Sequence, residues 1–203
     1  MADELRRAVG AGRAPRLAER LAEATRSYQR DRLQEARQML ARLADEAPAS
    51  AAVQELYGLT LYRMDRWDEA LRHLRIYHDL TGSYDQHPVM ADCERALRRF
   101  PAVDELWEEL REASPSAEVV AEGRIVAAGA RADNGDLPGA VALLESAARK
   151  VNHPREHHLR LWYALADLYE KAGDMPAAKE MFRKVLRYDA TFHDAAERIA
   201  ALS

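Results

Sequence analysis

Large apolar side chains return along this chain in step. One series runs Leu33, Trp67, Phe100, Leu137 and Met175, and a second runs Leu40, Leu74, Trp107, Leu144 and Phe182. Small residues keep equally regular places, at Ala24, Gly58, Ala91, Ala128 and Ala166 and again at Ala36, Ala70, Val103, Ala140 and Ala178. Small residues let helices cross closely, and large ones fill the gaps where helices diverge. The pattern predicts paired helices written several times over, with each pair burying its apolar side against the next.

The connections say the same. "GDMPAA" begins at Gly173 and "GDLPGA" begins at Gly135, so Gly-Asp-apolar-Pro-x-Ala occurs twice. In such a string the glycine takes a left-handed conformation and stops one helix, and the aspartate caps the next. The proline falls in the first turn, where its missing N–H costs little. Upstream, "RDRLQEARQMLARLADEAP" (30–48) matches "MDRWDEALRHLRIYHDLTG" (64–82) at an offset of 34. Tyr28, Asp31, Arg32, Glu35, Ala36 and Leu40 fall on Tyr62, Asp65, Arg66, Glu69, Ala70 and Leu74. A weaker third copy is "RRFPAVDELWEELREASP" (98–115). "TGSYDQ" (81–86) reads as a helix stop at Gly82 followed by a Ser83–Gln86 capping box. Pro154 reads as the start of a helix that leaves His153 outside it, and "TFHDAAERIAALS" (191–203) reads as a short amphipathic helix covering an open end.

A period near 34 with two helices per period and these residues resembles the tetratricopeptide repeat family. The last copy fits best, with Trp162, Leu165, Ala166, Tyr169, Ala178 and Phe182, although Ala190 stands where proline is usual. Glu94 and Arg131 stand where the family has tyrosine, and Arg20 and Glu23 stand at positions expected to be apolar. The resemblance implies an all-α, right-handed superhelical solenoid of about five helix-turn-helix repeats. Their expected bounds are 17–50, 51–83, 84–117, 121–154 and 159–190, after a frayed segment at 1–16 and before a capping helix at 191–203. "TGSYDQHPVMADCERAL" (81–97) is also similar to a stretch of actinobacterial tetratricopeptide proteins that have no assigned activity.

Composition narrows the function classes. Ala, Leu, Glu and Arg dominate, and glycine (9) and proline (8) are few enough to sit between helices. The net charge of −4 argues against nucleic acid as the main partner, although residues 1–42 are rich in arginine. A single cysteine, Cys93, fits a reducing compartment. With no signal-like or membrane-spanning run, the expectation is a cytoplasmic protein without a membrane partner.

No catalytic constellation stands out, and no cofactor or metal is expected. His153 and His157 have a chelating spacing, but no cysteine completes a set with them, and with His158 they read as a solvated linker. Cys93 reads as a buried structural thiol. What remains is surface. The resemblance implies a concave groove lined by the first helix of each repeat. On this chain the groove positions fall on Tyr28, Tyr62, Arg63, Asp92, Arg95, Tyr163 and Asp167, with Thr25, Glu55, Leu59, Ile125, Gly129, Asp133 and Glu170 beside them. Thr25, Leu59 and Asp92 replace the Lys and Asn with which some family members grip a peptide carboxylate. The expected function is a non-catalytic scaffold that holds a peptide or a partner helix in this groove. The alternatives are a self-assembling module, including a homodimer, then a metal-dependent enzyme or an RNA-binding protein.

Overall fold

The computed structural model describes residues 2–148, 151 and 153–202. Twelve α-helices and no strands occur among them. The chain divides into two compact units, 1–97 and 98–203, and the division falls in the turn of the third repeat.

The first unit holds α1 (Ala2–Val9), α2 (Ala14–Gln29), α3 (Leu33–Glu46), α4 (Ala51–Tyr62), α5 (Trp67–Thr81) and α6 (His87–Ala96). Here α2/α3 and α4/α5 are hairpins, α3 packs on α4, and the first helices α2, α4 and α6 touch in sequence. The second unit holds α7 (Phe100–Ala113), α8 (Ala117–Asp133), α9 (Leu137–Glu145), α10 (Glu156–Lys171), α11 (Met175–Leu186) and α12 (Ala195–Ala201). Its hairpins are α8/α9 and α10/α11, α8 also meets α10, and α12 covers α11. Helix hairpins of near-constant length stacked side by side are the solenoid architecture anticipated from the repeats.

One turn builds every hairpin. Its central residue is left-handed in all five repeats: Asp31 (φ 60), Asp65 (φ 57), Arg98 (φ 58), Gly135 (φ 90) and Gly173 (φ 80). The following N–H reaches back five residues, from Arg32 to Ser27 (2.8 Å), Arg66 to Leu61 (3.0 Å), Asp136 to Arg131 (2.9 Å) and Asp174 to Tyr169 (2.9 Å). That bond closes the helix C-terminus as a Schellman-type motif does. In the two Gly-Asp strings the aspartate then caps the next helix. Asp136 Oδ1 accepts from the Gly139 N–H at 2.9 Å, and Asp174 Oδ1 accepts from the Ala177 N–H at 3.1 Å. The first unit makes the same turn with aspartate at the left-handed position, so the string itself is absent there. Asp65→Gly is therefore expected to stabilise the first unit by about 0.5–1 kcal/mol, since the strain relieved exceeds the added chain entropy. A higher urea midpoint at unchanged slope would show it.

Burial separates the two apolar series. Leu40, Leu74, Trp107, Leu144 and Phe182 are all buried, as are the small residues at the crossings. Leu33, Trp67, Phe100 and Leu137 are only half-buried and Met175 is exposed. Each residue of that series is the first residue of its helix, at the hairpin tip, where one side faces solvent.

Several local expectations shift. Residues 2–9 form α1 and α2 begins at Ala14, so helix occupies much of the segment expected to fray. Helix α8 begins at Ala117, with the Ser116 hydroxyl accepting from the Val119 N–H at 3.2 Å. The Ser83–Gln86 capping box does not form. Gln86 is itself the N-cap residue and caps with no side-chain bond, while Ser83 Oγ accepts from the Asp85 N–H at 3.1 Å inside the turn. Pro154 precedes the helix: α10 starts at Glu156 with Arg155 as N-cap.

Candidate functional site

The residues expected to line a groove in the first unit lie on α2, α4 and α6, with Arg63 as the C-cap of α4, and form two short networks. In one, the Tyr62 hydroxyl at the end of α4 donates to Asp92 Oδ2 on α6 at 2.7 Å, and Asp92 lies 3.7 Å from the Arg95 guanidinium one turn on. The Tyr62 ring meets Trp67 edge-on, with centroids 5.5 Å apart. Burial first, and then the Asp92 carboxylate, push the Tyr62 phenol far above its usual range. In the other network, Arg63 lies over the Tyr28 ring, 4.7 Å from its centroid. The same guanidinium donates to the Tyr28 carbonyl at 3.2 Å and to Asp31 Oδ1 at 2.8 Å. Beside them, Gln86 Nε2 donates to Glu55 Oε1 at 2.8 Å, and Thr25 spends its hydroxyl on the Leu21 carbonyl.

In the second unit the expected groove residues of α10 meet α12. The Tyr163 hydroxyl donates to Asp194 Oδ1, the N-cap position of α12. Arg198, one turn further, reaches Asp167 Oδ1 at 3.0 Å and Glu170 Oε2 at 2.7 Å, with its guanidinium carbon 5.1 Å from the Phe182 ring centroid. Lys171 adds a second cation to Asp167 at 2.8 Å. Burial alone would raise the Asp167 carboxyl, but bonds from Lys171 and Arg198 outweigh it and hold the group below its usual range. Burial, helped by Asp194, pushes the Tyr163 phenol up to about 12.

The seven residues expected to line the groove therefore fall into two sets. Tyr28, Tyr62, Arg63, Asp92 and Arg95 come together in the first unit, and Tyr163 and Asp167 in the second. Asp194 and Arg198 escaped the sequence reading. The usable signal was their distance: Asp194 lies 31 residues after Tyr163, and Asp92 lies 30 after Tyr62. A tyrosine on one first helix thus meets an aspartate one repeat later in both units, and α12 stands in the place of a next first helix.

The departures from the repeat pattern also gain reasons. Glu94 is buried and takes a 2.7 Å ion pair from Arg75 on α5, so a charged pair fills a position where an aromatic ring is usual. Arg131 reaches back to Asp104 at 3.8 Å. Cys93 is fully buried, and burial pushes its thiol up to about 12, a setting for an inert side chain.

The histidine linker differs from the solvated segment expected. His153 is exposed, but His157 is buried on α10 with its Nδ1 3.5 Å from Glu118 Oε1. His158 Nδ1 accepts from the Arg155 N–H at 3.0 Å and so helps cap its own helix. No group of three or more His, Cys, Asp or Glu side chains placed to hold a metal ion occurs among the described residues. No helix among them is long and apolar enough to cross a membrane.

Comparison with known proteins follows the same lines. Residues 131–202 match the tetratricopeptide repeat family. No match is found among curated proteins. Among solved structures the chain is similar to TTC0263, a thermophilic TPR protein of Thermus thermophilus, with a TM-score of 0.67 at 19% identity, covering 92% of this chain and 98% of that one. It is similar to a putative kinesin light chain with nearly identical TPR-like repeats from Podospora anserina, with a TM-score of 0.62 at 20% identity over 92% and 94% of the two chains. It is also similar to YrrB, a TPR protein with an unusual peptide-binding site, with a TM-score of 0.52 at 15% identity over 88% and 89%.

Proposed function

We propose that this chain, whose residues 131–202 match the tetratricopeptide repeat family, serves as a non-catalytic scaffold. Its first-helix residues would hold an extended peptide or a helix of another protein. The observation that carries this reading is the Tyr62–Asp92 hydrogen bond, with its counterpart Tyr163–Asp194 one unit on. Both bonds fix a half-buried aromatic ring between successive first helices. A surface tied down before binding loses little side-chain entropy when a partner arrives. Tyrosine also offers a partner a large apolar area with a polar tip.

The charges describe the partner. Arg63 and Arg95 lie beside Asp31 and Asp92, so the face offers both signs within a short distance. A segment carrying both signs suits it better than a uniformly charged one. Helix α12 is such a segment: it places Asp194 and Arg198 one turn apart against α10. YrrB's description as peptide-binding supports the same use of this architecture.

The test is crosslinked capture from the native host with the wild-type protein and with Tyr62→Phe/Arg95→Ala. The double variant keeps the ring packed on Trp67 but removes the hydroxyl and the cation. Capture of the specific partner is expected to fall at least about tenfold, or roughly 1.4 kcal/mol, at unchanged circular dichroism. Equal capture by both proteins would exclude this face.

A further inference from the structure

The second unit carries a hollow that the tyrosine networks described above do not use. It lies where α9 meets the turn between α10 and α11, and its volume is about 480 Å³. Leu137, Val141 and Ala142 of α9 form one side, and Tyr169 and Ala172 at the end of α10 form another. Two carboxylates stand among these apolar groups, Glu145 at the end of α9 and Asp174 at the start of α11. An apolar wall with a few polar groups that orient what enters is the make-up of a ligand pocket.

The repeat shows what this junction lacks. Glu94, Arg131 and Tyr169 hold one position in successive repeats, and each reaches back to the second helix of the repeat before. Glu94 pairs with Arg75 of α5 at 2.7 Å, and Arg131 pairs with Asp104 of α7 at 3.8 Å. Both of those junctions set a cation on a carboxylate. Tyr169 instead donates its hydroxyl to Glu145 Oε1 at 2.5 Å. A phenol satisfies that oxygen but brings no charge. Asp174 spends Oδ1 on capping α11, and neither it nor Glu145 makes an ion pair among the described residues. Two cations on these helices are committed elsewhere. Lys171 pairs with Asp167, and Lys184 donates to the Ala148 carbonyl and lies over the Trp162 ring. Tyr169 registers the excess of negative charge: after burial, Glu145, Asp174 and Glu180 push its phenol up to about 12.

We infer that this hollow receives a basic side chain, with an apolar residue beside it, from a partner protein. The aliphatic stem of an arginine or lysine suits the apolar wall, while its head supplies the charge that Glu145 and Asp174 lack. The partner segment is therefore cationic and apolar by turns. The hollow shares no residue with the Tyr62 and Tyr163 networks, so this inference and the first-helix reading fail separately.

Titration of the full-length, ¹⁵N-labelled protein with acetyl-Leu-Arg-Leu-amide tests it, with acetyl-Leu-Gln-Leu-amide as the neutral counterpart. The arginine peptide is expected to shift the amide signals of Val141, Glu145, Ala172 and Gly173 with a Kd of about 1 mM. The neutral peptide should bind at least about threefold more weakly. Glu145→Gln keeps an acceptor for the Tyr169 hydroxyl but removes the charge. It should weaken the arginine peptide about threefold and leave the neutral one unchanged. Ala142→Phe fills the hollow from an exposed position of α9 and should weaken both peptides at least about threefold. Unshifted signals elsewhere in the second unit show that each variant keeps its fold. Equal affinity of the wild type for the two peptides would overturn the inference. So would shifts centred on other residues, no shifts at up to about 10 mM peptide, or binding that both substitutions leave unchanged.

Discussion

Phe182→Ala is expected to lower the unfolding free energy of the second unit by about 3–5 kcal/mol, the range for emptying a fully buried aromatic site. Phe182 is 0% exposed and packs with Ala166, Ala178 and Ala195, which come from α10, α11 and α12. It is therefore the side chain on which the last hairpin and the capping helix meet. Tyr163 sets its edge to the same ring at 5.5 Å between centroids, and the Arg198 guanidinium lies over it. Removing the ring removes the support beneath both the Tyr163–Asp194 bond and the Arg198 fork. The loss should thus exceed that of an isolated core residue, and α12 should be released first. Urea unfolding measures the total. Hydrogen exchange at Arg198 and Leu202, whose N–H groups bond within α12, should rise before that of α10. A loss below about 1 kcal/mol would mean that α12 contributes nothing to closing the repeat.

The architecture was legible because it depends on volumes that a sequence writes directly. Ala36, Ala70, Val103, Ala140 and Ala178 are all 0% exposed, so a small residue at the crossing is enforced in every repeat. The turn was legible only where glycine wrote it. Asp31 and Asp65 adopt the same left-handed conformation, yet aspartate serves in many other settings and carries no unique signal. The Ser83–Gln86 reading failed for a related reason. Pro88 and the Tyr84 carbonyl, which accepts from the His87 N–H at 3.1 Å, start α6 three residues after the position that pattern implied.

The candidate site was legible in its residues and not in its partners. Position in the repeat put Tyr62 and Asp92 on neighbouring first helices, but their 2.7 Å bond depends on a packing angle that no spacing encodes. Likewise, the amphipathic pattern of the tail predicted a cap. It did not predict that Asp194 and Arg198 would take over the hydrogen-bonding capacity of Tyr163, Asp167 and Glu170. The buried Glu94 shows the same limit. A glutamate read alone looks like surface, and only the arm of Arg75 from another helix makes its burial tolerable.

Gly58 and Gly123 separate two reasons for a glycine in the middle of a helix. A methyl group at either position would gain about 1 kcal/mol of helix propensity. At Gly58 the added Cβ would lie 2.6 Å from Leu74 Cδ2, 2.7 Å from Leu74 Cγ and 3.3 Å from the Ala70 carbonyl oxygen. Leu74 is itself 0% exposed, so its branch point has nowhere to go. At Gly123 the Cβ would run into a single terminal carbon, Leu110 Cδ2, while Leu110 Cγ and Trp107 stay at 3.6 Å. A rotation about one Leu110 bond relieves that contact. Gly58→Ala is therefore expected to destabilise the first unit by about 1–3 kcal/mol net, as overpacking outweighs propensity. Gly123→Ala should change the second unit by less than about 1 kcal/mol in either direction. Urea midpoints of the two variants decide the matter. Equal effects would mean that the α4–α5 crossing can open as readily as a leucine turns, and that close contact does not require the glycine there.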